Sequence, residues 1–140
     1  MSRTDLKIGE VALRAEVSRD TVRYYEKLGL VPPAARTASG YREYPESAVE
    51  RIRLVRSASR FGFSLKELAA FFRARTQGPP PCRSVRAAGA RILGSLDQQI
   101  AELTATRDAM RATLQEWDDR LSQTPAGEPA RLLDMLNKQP

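Results

Sequence analysis

Ser18-Arg19-Asp20-Thr21-Val22-Arg23-Tyr24-Tyr25-Glu26-Lys27-Leu28-Gly29 is a short helix with its own start and stop signals. The Ser18 hydroxyl suits the N-cap, where it can accept from the first free N–H groups of the following turn. Gly29 suits the left-handed residue that ends a helix. Upstream, Leu6-Lys7-Ile8-Gly9-Glu10-Val11-Ala12-Leu13-Arg14 puts Ile8, Val11 and Ala12 on one face, and Glu16-Val17-Ser18 forms a turn. Two short helices joined this closely make a helix-turn-helix. Val22 is the clearest apolar position of the second helix and is expected to face the first. Arg19, Thr21, Arg23, Tyr24 and Tyr25 crowd cations, a hydroxyl and two phenols onto about two turns. Arginine forks reach guanine edges or phosphates, and tyrosine hydroxyls donate to phosphate oxygens. Packing is the plainer use of the two tyrosines, and one ring is expected to be half-buried.

Outward from this motif, Val31-Pro32-Pro33 excludes helix and Ser39-Gly40 signals a turn. Tyr41-Arg42-Glu43-Tyr44 alternates aromatic with charged residues, which predicts a short hairpin wing carrying Arg36 and Arg42. Pro45-Glu46 opens a third helix whose apolar face is Val49, Ile52, Leu54 and Val55. Phe61-Gly62-Phe63 ends it. Ser64 then caps a fourth helix, with Glu67 at the capping-box position and Leu65, Leu68, Phe71 and Phe72 as its buried face.

Charge is unevenly divided. Residues 1–75 hold 15 Lys/Arg against 9 Asp/Glu, whereas residues 76–140 hold 8 of each, so the first half carries the whole net charge of +6. A basic half beside a neutral one points to a polyanionic partner for the first, most simply a phosphate backbone. The 140 residues contain no histidine and one cysteine. An enzyme is therefore not expected, because the commonest general base and metal ligand is missing. No catalytic site, metal site or cofactor is assigned. A lone cysteine excludes an intrachain disulfide and fits a reducing cytoplasm. Neither a membrane-spanning run nor a signal peptide is expected.

Thr76-Gln77-Gly78-Pro79-Pro80-Pro81-Cys82 is the strongest break, and residues 77–81 are expected to be a hinge after a domain spanning 1–76. Beyond it, Val85, Gly89, Ile92, Leu96, Ile100, Leu103, Met110, Leu114, Trp117 and Leu121 follow one another at near-heptad steps. This seam predicts a single long helix over 82–121, roughly 55 Å of it amphipathic. So long a stripe must bury against something, and the rest of the chain is too small to cover it. Self-association into a homodimer is expected.

Ile8-Gly9-Glu10-Val11-Ala12, Thr21-Val22-Arg23-Tyr24-Tyr25-Glu26, Gly29-Leu30-Val31-Pro32, Ser39-Gly40-Tyr41-Arg42-Glu43-Tyr44 and Gly62-Phe63-Ser64-Leu65-Lys66-Glu67-Leu68 stand in order at matching spacing. Together, over residues 6–75, they resemble the DNA-binding domain of the MerR family of bacterial transcription factors. The resemblance implies a mainly α fold: a winged helix-turn-helix followed by a long dimerisation helix paired as an antiparallel coiled coil. It also implies that the helix starting at Arg19 enters the major groove, with Tyr41 and Arg42 near flanking backbone. Its implied partners are promoter DNA and the RNA polymerase positioned there. Activation would come by bending and twisting a promoter whose spacer is too long. In the metal-sensing branch a cysteine opens the long helix and two more flank a loop at its far end. Here Cys82 occupies the first place, while the loop positions fall at about Leu121 and Pro129, which cannot ligate through their side chains. Asp118, Asp119 and Glu128 nearby are hard donors suited to other ions. Residues 122–140 match the family's loop and short terminal helix in length, not in that chemistry.

Three uses of Cys82 stay open. It is a small buried thiol without a function, a redox or electrophile sensor activated by Arg83, Arg86 and a helix N-terminus, or part of a mixed-ligand or organic-effector pocket. Taken together, the expectation is a cytoplasmic, homodimeric, sequence-specific DNA-binding regulator without a membrane association, its DNA contacts drawn from Arg19, Thr21, Arg23, Tyr24, Tyr25, Arg36, Tyr41 and Arg42. A constitutive DNA binder or architectural protein with no inducer site is the alternative.

Overall fold

A computed structural model describes residues 5–138 of the chain. The elements run β1 (Leu6–Lys7), α1 (Ile8–Ala15), α2 (Arg19–Lys27), β2 (Ala35–Arg36), β3 (Arg42–Tyr44), α3 (Ser47–Phe61), α4 (Leu65–Gln77) and α5 (Cys82–Ser122), then a 3-10 segment over Leu133–Lys138. The architecture is mainly helical, a winged helix-turn-helix followed by a 41-residue helix.

Local chemistry accounts for the element ends. The Ser18 hydroxyl accepts from the Thr21 N–H at 3.0 Å at the start of α2. Ser64 and Glu67 form a reciprocal capping box on α4: the Ser64 Oγ accepts from the Glu67 N–H, and the Glu67 carboxylate accepts from the Ser64 N–H. Gly62 closes α3 at φ 111°, a conformation that disfavours any side chain. Glu16 takes the same left-handed role after α1 at φ 58°. Two arginines from α3 complete that end: Arg53 donates to the Arg14 carbonyl at 2.8 Å, and Arg56 donates to the carbonyls of Ala15 and Glu16. Cationic donors at a helix C-terminus satisfy its orphan carbonyls and oppose the negative end of its dipole.

The wing is a three-stranded antiparallel sheet in the order β1-β3-β2, where a two-stranded hairpin was expected. Leu6 and Lys7 are strand rather than the beginning of α1, pairing with Tyr44 and Glu43. The pairing buries the Leu6 side chain almost completely beside Tyr44 in the core formed with Val11, Val22, Val49 and Ile52. A second core joins Leu30, Val55, Leu68 and Ala69, with Phe63, Leu65, Phe71 and Phe72 partly buried around it. Val22 is fully buried, as its position required. Leu54, expected on the apolar face, is instead exposed, while α3 ends at Phe61 with Gly62 as its cap. Leu54 stands between the buried Ile52 and Val55 on the opposite side of the helix, because one residue of offset turns a side chain about 100° on a 3.6-residue helix.

Residues 78–81 interrupt the helices, but the compact unit does not end there. It runs to Leu93, so the opening turns of α5 belong with the winged domain and residues 94–140 form a second unit. Ala88 is buried, Arg91 pairs with Glu67, and Ile92 packs against the backbone of Gly62. In the second unit Leu96, Ile100, Leu103, Met110, Leu114 and Leu121 are all exposed on one chain, and Trp117 is half-buried. No helix among the described residues is long and apolar enough to cross a membrane.

Candidate nucleic-acid interface

The first turn of α2 and the β2–β3 turn of the wing face each other across the N-terminal end of α1. Between them lies an open concavity of about 620 Å³. Arg19 and Arg23 enter it from α2, Tyr41 and Arg42 from the wing, and Lys7, Gly9, Glu10 and Leu13 from β1 and α1. Four of the eight residues singled out in the sequence therefore share one surface.

Each is held differently. Arg23 Nη1 sits 2.9 Å from Asp20 Oδ1 one turn back, both exposed. Arg42 Nη1 lies 3.7 Å from Glu26 Oε2. Arg19, the first residue of α2, has no carboxylate in ion-pair range among the described residues. Tyr41 is two-thirds exposed, and its N–H donates to the Thr37 hydroxyl at 3.1 Å within the turn.

The other four are placed elsewhere. Thr21 is half-buried, with its Oγ1 2.8 Å from the Ser18 Oγ in the cap of α2. Tyr25 is half-buried and packs against both cores, the plainer use already weighed for one of the two phenols. Tyr24 is exposed, its ring centroid 6.4 Å from that of Tyr25. Arg36 is exposed on β2 opposite Arg42 in the ladder.

Glu26 was not singled out from the sequence, yet it joins helix to wing. Its Oε1 accepts from the Ala34 N–H at 3.1 Å, and its Oε2 accepts from the Tyr44 hydroxyl at 2.6 Å. Burial first, and then the Glu26 carboxylate, raise the Tyr44 phenol above its usual pKa. A carboxylate amid so many cations in Arg-Tyr-Tyr-Glu was the available signal. Lys7 was likewise missed, because nothing local marks a two-residue strand.

Cys82 is exposed. On one chain it is thus not a buried thiol. It lines a cavity of about 480 Å³ with Phe71, Phe72, Arg75, Pro80, Pro81 and Val85. Arg51 stacks on the Phe72 ring at 4.0 Å, and desolvation followed by the Arg75 charge lowers its pKa.

A family of MerR helix-turn-helix regulatory proteins matches residues 6–75, and a second family, described as MerR, DNA binding, matches residues 49–115. The chain belongs to the MerR family. It is 37% identical over 114 residues to a probable heavy metal-dependent transcriptional regulator from Haemophilus influenzae, covering 81% of this chain and 86% of that one. It is 34% identical over 114 residues to the regulator ZntR of Escherichia coli, covering 81% and 78%. Among solved structures it resembles the transcription regulator PbrR691 from Ralstonia metallidurans in complex with lead(II), at TM-score 0.57 and 26% identity over 94% of this chain and 98% of that one. HiNmlR, a MerR regulator lacking the sensor domain and bound to promoter DNA, shares the fold at TM-score 0.56 and 22% identity, covering 86% and 95%. This MerR-family chain is thus a DNA-binding transcriptional regulator.

Proposed function

We propose that the chain acts in the cytoplasm as a homodimer that grips two half-sites of a promoter and changes the shape of the DNA between them for RNA polymerase. The observation that carries this reading is the concavity in which Arg19 and Arg23 of the first turns of α2 stand opposite Tyr41 and Arg42 of the wing. N-terminal residues of a recognition helix are those that meet base edges, and wing residues meet the flanking phosphates. Tyr24 and Arg36 extend the contact on either side. Thr21 and Tyr25 support α2 from behind, through the cap and the core. We propose functional bounds of 1–76 for the DNA-binding part, 77–81 for the hinge, 82–121 for the dimerisation helix and 122–140 for the effector-type loop and short helix.

The exposed seam of α5 supports the dimer. Leu96, Ile100, Leu103, Met110, Leu114 and Leu121 present apolar surface along one helix, and a second copy offers the matching stripe. For the effector, the exposed thiol of Cys82 and its aromatic-lined cavity are the candidate. Relatives are named for heavy metals, but this chain has one cysteine and no histidine, so the several thiolates that a soft ion wants cannot come from one protomer.

Footprinting on DNA flanking the gene tests the proposal, with Arg23→Ala and Arg42→Ala as controls for the site. A protected palindromic segment lost in both variants supports it. Unchanged protection by both variants rejects the assignment of the contact surface. Melting the protein against thiophilic metals, thiol electrophiles and organic cations tests the effector part, since a tight ligand raises Tm by mass action. If nothing in that panel alters Tm or promoter output, the chain acts as a constitutive binder.

A further inference from the structure

The concavity contains a residue with no side chain. Gly9, second in α1, lies beneath the guanidinium of Arg19: a Cβ built on it would stand 2.9 Å from Arg19 Nη2 and 3.4 Å from both Cζ and Nε. Three guanidinium atoms thus crowd the space that a side chain at position 9 would take. Contacts under 3.0 Å are not tolerated by a real Cβ, so any other residue at position 9 must displace that fork. Glycine is not required there by backbone conformation, since Gly9 does not have the positive φ of Gly29, Gly40, Gly62 and Gly127. In a helix it is a poorer choice than alanine on propensity alone. The space left by the absent side chain is taken by the Arg19 guanidinium.

We propose that Gly9 is a positioning residue for DNA recognition, a seat that fixes the pose in which Arg19 meets the duplex. Arg19 has no carboxylate to orient it among the described residues, unlike Arg23 with Asp20 and Arg42 with Glu26. A long side chain with free rotors loses conformational entropy when it binds, and a planar fork already laid on a surface loses less. Arg19 is also the first residue of α2, where small displacements redirect contacts with base edges. Alanine at position 9 keeps every charge. It therefore leaves the phosphate-driven, sequence-independent part of binding intact and removes the directed part.

The inference rests on Arg19 touching DNA, and the test separates the two. The probe is a duplex selected from a random pool by the wild-type protein, with a scrambled duplex as control, titrated against wild type, Gly9→Ala, Arg19→Ala and the double variant. Expected for Gly9→Ala is a five- to fiftyfold loss on the selected duplex, less than twofold on the scrambled one, an unchanged salt slope and a Tm at least as high as wild type. In the Arg19→Ala background the Gly9 change should have less than a twofold further effect. If Arg19→Ala binds like wild type, the contact assignment of Arg19 falls and the inference with it. If Arg19→Ala weakens binding but Gly9→Ala does not, or the two losses multiply, only the seat is overturned. A lowered Tm for Gly9→Ala likewise overturns it, as the glycine is then structural.

Discussion

The Tyr44 hydroxyl donates to Oε2 of Glu26 across 2.6 Å, which ties the last strand of the wing to the recognition helix. Tyr44 is fully buried and pairs with Leu6 on its other flank. Two elements proposed to meet the same duplex are thereby tied together by the Glu26 carboxylate.

Tyr44→Phe removes the donor and leaves Glu26 with less of its hydrogen bonding. The expected loss is about 1.5–3 kcal/mol, the range for a hydrogen bond to a charged acceptor, read by urea denaturation at pH 8. The phenol's pKa is raised in the folded protein, by burial first and then by Glu26. Its contribution is therefore fully present below pH about 10 and lost as pH rises toward the folded value. Wild type should lose stability above pH 10 more steeply than Tyr44→Phe.

Glu67 behaves in the opposite sense. Hydrogen bonding from the Ser64 backbone, and then the charge of Arg91, hold its carboxyl below the usual range. Its contribution is present above pH about 4.5 and declines as pH falls through the folded value. Melting between pH 6 and 3 should show a smaller decline in Glu67→Gln than in wild type. Ser64→Ala, which removes the other half of the box, should cost about 1 kcal/mol at pH 7.

Gly62 stands at φ 111°, and a Cβ there would lie 3.1 Å from Ile92 Cγ2. Gly62→Ala combines backbone strain with a close contact and should destabilise by about 1–2 kcal/mol. Removing the Cγ2 methyl, in Gly62→Ala with Ile92→Leu, should recover part of the loss. Equal stability of the two variants would mean that the strain is all backbone.

Leu103→Glu and Leu114→Glu each place a charge in the exposed seam of α5 and should shift the dimer to monomer in light scattering at micromolar concentration. Operator binding should fall with it, because a monomer reaches one half-site. An antiparallel pair also keeps Cys82 and its symmetry mate on the order of 50 Å apart, so oxidised dimer should show no Cys82-linked species in non-reducing electrophoresis. A ready crosslink would demand a parallel pair.

What could be seen in the sequence was whatever is encoded locally. Ser18, Ser64 and Glu67 announce helix starts by their side-chain chemistry, and the seam from Val85 to Leu121 announces a helix by its period. What could not be seen depends on residues distant in the chain. Leu6–Lys7 becomes a strand only because β3 is there to pair with it. Leu54 reads as part of an apolar face yet is exposed, since neighbouring elements cover only the side of α3 that carries Ile52 and Val55. Glu26 gains its role from Ala34, Arg42 and Tyr44, and the reach of the compact unit to Leu93 depends on Gly62 meeting Ile92. Gly9 looked like one letter of a motif until the Arg19 guanidinium was found above it.

Arg53 and Arg56 direct their guanidinium groups at the carbonyls that end α1, and this alters how the basic half should be tallied. Cations already engaged by main-chain oxygens are poor displacers of the ions condensed on a duplex. Counting lysines and arginines would thus overstate how sharply sodium or potassium loosens the complex, and the slope measured should track the few guanidiniums around the concavity instead.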